Sequence, residues 1–421
     1  MQKKRYAVVG MGSRGLGMFA RPLATDFSAT AELVAVFDIN PLRLASSVSR
    51  LPQPVPMYTD FDRMLREANP DAVIVASRDS THAEYVIRTL RAGKRAVSEK
   101  PLCTTAAMCR RILAAARKSG AVCLTTHNAR YDAAMTSIRS VIGSGSLGRV
   151  LQMQFAETLD RLHGADYFRR WHRRKANSGG LQLQKASHHF DLLNWWTGSK
   201  PKTVRAQGGL VFYGKNGAFR GKRCKGCRHA SKCDFYADFF AHEDYRRMYF
   251  EAEPADGYFR DGCVWDPQTD IEDQLHVHIT YDSGIQVDYS LVAYSPIESL
   301  HVAIEGTKGR LEHATIYNTG WCVGGGNRLP GVENVGGETQ RLFLPGQGIR
   351  EVPIARPEGE HGGADPQLRR DFFARSWDEP PNDRMASLDQ AIQAVLIGAA
   401  VNKSLAAGGK PVDVQKLLVR D

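Results

Sequence analysis

The segment LQLQKASHHFD, Leu181 to Asp191, sets one lysine, two histidines and an aspartate among apolar residues. Ser178-Gly179-Gly180 precedes it and LLNWWTG follows. Read as a helix, Gln184, His188 and Asp191 fall within one narrow arc, with Lys185 beside His188. Phe190, Leu192, Leu193, Trp195 and Trp196 fill most of the remaining surface, so the helix reads as buried. Burying unpaired charge is expensive, so these groups must pair with one another, meet a ligand, or both.

A second constellation stands near the start of the chain. Gly10-Met11-Gly12-Ser13-Arg14-Gly15 is a G-x-G-x-x-G pattern that follows the apolar run of RYAVVG and leads into a helix-like stretch, Leu16 to Leu23. The glycines allow a tight turn, close approach of a pyrophosphate and helix–strand packing, and the helix start offers its amides, those of Ser13 and Arg14 among them. The next apolar run, ELVAVFD, ends in Asp38, well placed to accept the ribose hydroxyls of NAD. A carboxylate there repels a 2′-phosphate and favours NAD over NADP, although neighbouring Asn40 and Arg43 leave that choice open.

The elements that must position these residues alternate. DAVIVAS (71–77), KRAVSEKP (94–101) and AVCLTTHN (121–128) read as buried strands, with helices at 81–93 and 104–120 between them. Such alternation predicts a doubly wound parallel sheet over residues 1–128, with ligands beyond the carboxyl ends of its strands. Ser77, His82, Glu99, Lys100, His127 and Asn128 all fall at or just after those ends. From residue 129 the pattern changes: a helix and turn, then strands. Leu275, Val277, Ile279 and Tyr281 alternate with polar residues, as do Ile285, Val287, Tyr289 and Leu291 across the turn Asp282-Ser283-Gly284. Residues 129–421 therefore read as an α+β domain with an antiparallel sheet, ending in an amphipathic helix at 385–408.

Residues 213–268 read as an insertion between strands. Cys224-x2-Cys227-x5-Cys233, joined by Cys263, has the composition of a four-thiolate site, and a structural zinc would staple a loop-rich insertion. His229 is a substitute ligand in that reading.

A length of 421 residues suffices for two domains with large cores. No run of about 18 apolar residues is present, so no membrane span is expected. The opening MQKKRYAVVG leaves no room for an apolar signal core, which makes the cytoplasm the expected compartment. The formal charge of +11 is spread along the chain without a basic, aromatic-laced arm, so it is read as a basic surface rather than a nucleic-acid site.

Taken together, GMGSRG, VASRDSTHAEYVIRTLRAGKRAVSEKPL with Glu99-Lys100-Pro101, and HNARY at 127–131 resemble the Gfo/Idh/MocA oxidoreductases, the family of glucose–fructose oxidoreductase and inositol dehydrogenase. The resemblance is close over residues 5–131 and looser beyond. It implies a Rossmann domain followed by an α+β domain with a large, mainly antiparallel open sheet, and homodimers or homotetramers built through that sheet. It implies that Lys100 stands near the nicotinamide and the reacting hydroxyl, that the bond to Pro101 is cis, and that His188 is the acid/base. The family's aspartate position holds Gln184 instead, with Lys185 and His189 as additional candidates. Tyr131 joins the catalytic candidates; Gln184, Asp191, Arg130, His172 and Arg173 are candidate substrate contacts, the last two in the basic stretch YFRRWHRRKANSGG. Arginines there suit a carboxylate, so an acidic sugar is among the expected substrates. The leading expectation is an NAD-dependent dehydrogenase of a sugar, sugar derivative or cyclitol. The alternative is a glycoside hydrolase or lyase that oxidises, eliminates and re-reduces with recycled NAD. A non-catalytic sugar or NAD sensor would need neither Lys100 nor His188.

Overall fold

The computed structural model describes residues 3–318, 336–355, 358 and 362–419. The chain divides into two compact units: Met1–Tyr131 with Phe240–Phe259 and Pro357–Val395, and Asp132–Phe239 with Arg260–Arg356 and Leu396–Asp421. The expected split at 128/129 with two contiguous domains thus becomes a division near 131/132 in which the first unit also recruits two later stretches.

In the first unit, β1 (Lys4–Val9), β2 (Ala31–Phe37), β3 (Met57–Tyr58), β4 (Ala72–Val75), β5 (Arg95–Ser98) and β6 (Cys123–Thr125) are parallel, in the order β6-β5-β4-β1-β2-β3. Chain direction across the sheet reverses between β1 and β4, the point at which doubly wound sheets bind ligands. Ala72, Val73, Ile74 and Val75 are fully buried, as a strand covered on both faces requires. The helices Asp79–Arg91 and Ala106–Ser119 fill the expected crossovers; Thr105 caps the second and Gly120 ends it in the left-handed region.

The second unit carries a nine-stranded sheet. It contains β7 (Val150–Asp160), β8 (Pro201–Gly209), β9 (Gln274–Tyr281), β10 (Gln286–Ser295), β11 (Glu298–Gly306), β12 (Arg310–Asn318), β13 (Gly337–Leu344) and β14 (Gly348–Glu351). All its described pairings are antiparallel except β7 with β10. The hairpin β9–β10 has the expected register, with Leu275, Val277, Ile279, Val287, Tyr289 and Leu291 all turned into the core. Two short strands late in the chain, β15 (Ala386–Ser387) and β16 (Val412–Asp413), pair with β6 and β8. The helix Leu388–Ala406 between them is buried along most of its length rather than amphipathic. Among the described residues no helix is long and apolar enough to cross a membrane.

The segment 181–197 is not one helix. Leu181–Gln184 forms a single turn, and Ser187–Thr197 a second helix. At the junction the Ala186 N–H reaches back five residues to the Leu181 carbonyl (2.8 Å), which adds a residue to the turn and shifts the phase of the second helix. Gln184, Lys185 and His188 stay half-buried, whereas Asp191 is wholly buried.

Candidate functional site

In the first unit the glycine-rich turn is shaped by close backbone approach. A Cβ on Gly10, whose φ is +90°, would lie 2.6 Å from Ser77 Cα, and one on Gly15 would lie 1.8 Å from the Gly10 carbonyl oxygen. Only glycine fits either place. Gly12 faces no backbone within 4 Å; a Cβ there would meet the Tyr249 hydroxyl at 3.3 Å, the same oxygen that accepts the Ser13 N–H at 3.0 Å. Asp38 ends β2 and is buried; its carboxylate accepts the N–H of Met11 (2.9 Å) and of Asn40 (2.9 Å) and pairs with Arg43 (3.2 Å). Burial pushes this carboxyl up, against the pull of Arg43. The glycine turn and the acid just after β2 together fit a dinucleotide.

The other expected cofactor residues divide. Lys100 is half-buried at the end of β5, its peptide bond to Pro101 is cis, and its N–H donates to Glu99 Oε2 (3.0 Å). Arg14 and Glu99 turn toward each other: Arg14 Nε lies 2.7 Å from Glu99 Oε1, and Arg14 Nη1 lies 3.3 Å from Asp365 Oδ2. Asn128 donates to the other oxygen of Asp365 (2.8 Å). Asp365, buried and 237 residues away in sequence, was invisible to spacing arguments. His82 is a strut: its ring nitrogens lie 2.8 Å from the Pro101 carbonyl and 3.0 Å from that of Ser77, whose hydroxyl bonds Thr81 (2.8 Å).

Two expected contacts are overturned here by burial. Arg130 is fully buried and donates to the Asp383 carbonyl and to Gln390 Oε1 (3.1 Å), so it braces the fold instead of meeting substrate. Tyr131 is buried beneath Arg384, whose guanidinium lies 4.7 Å from the ring centre. Burial, with the Asp371 carboxylate nearby, pushes its phenol far above the ordinary tyrosine range.

In the second unit the carboxylate missing from the Gln184 position arrives from a strand. Glu157 on β7 places Oε1 3.0 Å from Lys185 Nζ and Oε2 2.8 Å from His189 Nε2, and His189 Nδ1 lies 2.9 Å from the Tyr289 hydroxyl. Burial works against the Glu157 charge, but Lys185 and His189 outweigh it and bring the carboxyl down to about 2. Burial likewise opposes the Lys185 charge, and Glu157, aided by Tyr167 and Glu298, holds it well above the usual lysine range. Burial keeps the Tyr289 hydroxyl, the partner of His189 Nδ1, protonated. His189 is thus buried between the Glu157 carboxylate and the Tyr289 hydroxyl. His188 is the half-buried imidazole of the segment, beside half-buried Lys185 and Gln184.

The basic stretch is internally engaged. Arg173 pairs with Asp266 (2.9 Å) and donates to the Arg169 carbonyl (3.1 Å), while Arg170 pairs with Asp166 (3.0 Å). His172 is buried, stacked on Trp171 at 3.7 Å and edge-on to Tyr167 at 5.5 Å. With Glu157 neutralising Lys185 and acids on these arginines, the cationic surplus behind the acidic-sugar expectation is largely compensated. Asp191, expected on the substrate face, lies in the core because of the shifted helix phase.

The expected zinc centre is not supported. Among the described residues no group of three or more His, Cys, Asp or Glu side chains is placed to hold a metal ion. Cys224, Cys227, Cys233 and Cys263 are free thiols, and burial pushes those of Cys224 and Cys233 up. Arg169 donates to the Cys224 sulfur (3.2 Å), and His229 packs on Phe219 at 4.9 Å. The insertion is stapled by other means: Asp261 binds Arg223 (2.7 Å) and the Lys225 N–H (2.8 Å), and Phe212, Tyr213, Phe235 and Trp265 pack ring against ring.

Comparison with known proteins bears on both units. The oxidoreductase family NAD-binding Rossmann fold model matches residues 4–127, and the companion C-terminal alpha/beta domain model matches residues 139–414. The chain belongs to the Gfo/Idh/MocA oxidoreductase family. The Bacillus subtilis (strain 168) protein YteT, named as an oxidoreductase, is 31% identical over 98% of this chain and 98% of its own. The inositol 2-dehydrogenase of Klebsiella pneumoniae (ATCC 700721 / MGH 78578) is 33% identical over 48% of this chain and 57% of its own. The WlbA dehydrogenase of Bordetella pertussis, solved with NADH and UDP-GlcNAcA, shares the fold with a TM-score of 0.66 at 18% identity, over 98% of this chain and 99% of that one. This Gfo/Idh/MocA chain is thus an NAD-binding oxidoreductase whose relatives include a cyclitol dehydrogenase.

Proposed function

We propose that the chain is an NAD-dependent dehydrogenase acting on a secondary hydroxyl of a sugar, sugar derivative or cyclitol. The observation that carries the reading is the half-buried trio Gln184, Lys185 and His188 in an otherwise buried segment, underlain by the Glu157 carboxylate. Bound NAD supplies the hydride acceptor. His188 takes the hydroxyl proton at its imidazole. Lys185, kept cationic by Glu157, steadies the oxygen that loses that proton, and Gln184 hydrogen-bonds a neighbouring hydroxyl. Lys100, just after β5, serves the nicotinamide side.

A second reading is favoured by one feature: Lys185 is a fixed cation beside a titratable imidazole. Oxidation of a ring hydroxyl acidifies the adjacent C–H, and such a pair suits an enolate that then expels a glycosidic oxygen. Incubation of the chain and NAD with free sugars, cyclitols and aryl glycosides, following NADH absorbance and released aglycone together, separates the two. Net NADH from a free sugar or cyclitol without aglycone supports the dehydrogenase. Aglycone without net NADH overturns it in favour of redox-assisted cleavage.

A further inference from the structure

Residues 240–259 leave the second unit's chain between β8 and β9, yet they fold as part of the dinucleotide-binding unit. They lie as a strap along the landmarks of the cofactor site. The Ser13 N–H and hydroxyl both meet the Tyr249 phenol, at 3.0 and 2.9 Å. That phenol oxygen is the one atom within 4 Å of a Cβ built on Gly12. The Asn40 side chain donates to the Ala252 carbonyl (2.9 Å), and Arg50 pairs with Asp244. Met248 and Ala252 are buried and anchor the strap.

Arg43 is the informative contact. A guanidinium close behind the acid that ends β2 is well suited to receive a 2′-phosphate, because its fork matches phosphate oxygens. Here it is gripped from two sides, by Asp38 at 3.2 Å and by Asp256 of the strap at 2.6 Å, with the Tyr249 ring 5.8 Å away. Both carboxylates are well shielded from solvent, at 6% and 17% side-chain exposure, so salt screens them weakly. A 2′-phosphate would have to displace one acid from Arg43 and sit beside the other. Such built-in repulsion is how a site rejects a close analogue of its ligand.

We propose that the strap Phe240–Phe259 is part of the dinucleotide site and that Asp256, by holding Arg43, selects the unphosphorylated ribose of NAD. The inference rests on the NAD-binding reading and adds a selectivity residue from outside the Rossmann sequence. Titration of the full chain with NADH and with NADPH, read by nicotinamide fluorescence, tests it. The wild type should prefer NADH, and Asp256→Ala should raise NADPH affinity relative to NADH about tenfold by removing one of the two acids on Arg43. Asp256→Asn, which keeps the shape and loses the charge, should move the ratio the same way and serves if the alanine variant folds poorly. Asp244→Ala loosens the strap without touching Arg43 and should leave the ratio in place. An unchanged ratio in both Asp256 variants overturns the proposal, as does an equal shift in Asp244→Ala, which would mean loosening rather than selectivity. A wild type that binds neither nucleotide is a different failure, that of the cofactor reading itself.

Discussion

Arg14 in the dinucleotide-binding unit stands between two acids, Glu99 and Asp365, whereas Glu157 in the other unit stands between two bases, Lys185 and His189. The compositions mirror each other, but the surroundings do not. The Arg14 side chain is 35% exposed and can share its charge with water; Glu157 is 6% exposed and depends on its partners. The first cluster closes the end of a turn already shaped by glycine. The second holds the chemistry-bearing side chains of a broken helix in place, so the same number of ion pairs carries unequal weight.

The largest effect on this contrast is expected in activity. His188→Ala should lower kcat by about 10²–10⁴, the usual share of a positioned acid/base, while NADH binding measured by fluorescence stays within about twofold. Equal loss of both would mean that His188 is structural.

Next comes the buried acid itself. Glu157→Gln leaves Lys185 buried without its counter-charge and should cost about 3–5 kcal/mol in urea unfolding, against about 1.5–3 kcal/mol for Glu99→Gln, where Arg14 retains Asp365 and water. Acid adds a sharper test. Glu157 is depressed from its ordinary 4.5 to about 2, so the unfolded chain binds the extra proton. Its contribution is present above pH about 4.5 and is lost as pH falls toward about 2, and Glu157→Gln should flatten that part of the stability–pH curve.

Within the glycine turn, Gly15→Ala should lower the melting temperature and abolish NADH binding, since its Cβ would overlap the Gly10 carbonyl oxygen. Gly12→Ala should leave the fold intact and weaken NADH binding alone, having only the Tyr249 phenol to meet, at 3.3 Å. The smallest effect is expected at Arg173. Arg173→Gln removes a half-buried pair with Asp266 and should change substrate KM by less than about twofold. A larger rise would restore Arg173 as an anion contact.

Much of the fold was legible because its signals are local. Strand and helix periods, the glycine turn and Asp38 lie within the first 40 residues and the alternation after them, and the structure keeps all of them. The roles proposed for Lys100 and His188 come from motif resemblance. The broken helix was not, because a turn of five residues at Ala186 leaves the composition of the segment unchanged while rotating Asp191 into the core. The cysteine spacing misled for a related reason: spacing states which thiols can meet, and among the described residues the fold gathers from them no group that could hold a metal.

By itself, then, the sequence determined the parallel sheet, the glycine turn that fits a dinucleotide, and the presence of ionisable groups on a buried segment. Those follow from backbone sterics and hydrophobic periodicity acting over a few residues. Only the tertiary structure decided which charges meet. Glu157 reaches Lys185 from a strand, Asp365 reaches Arg14 across 351 residues, and Asp256 reaches Arg43 across 213. Pairing of buried charge depends on register and on where distant chain returns, because the attraction acts over a few ångströms whatever the separation in sequence.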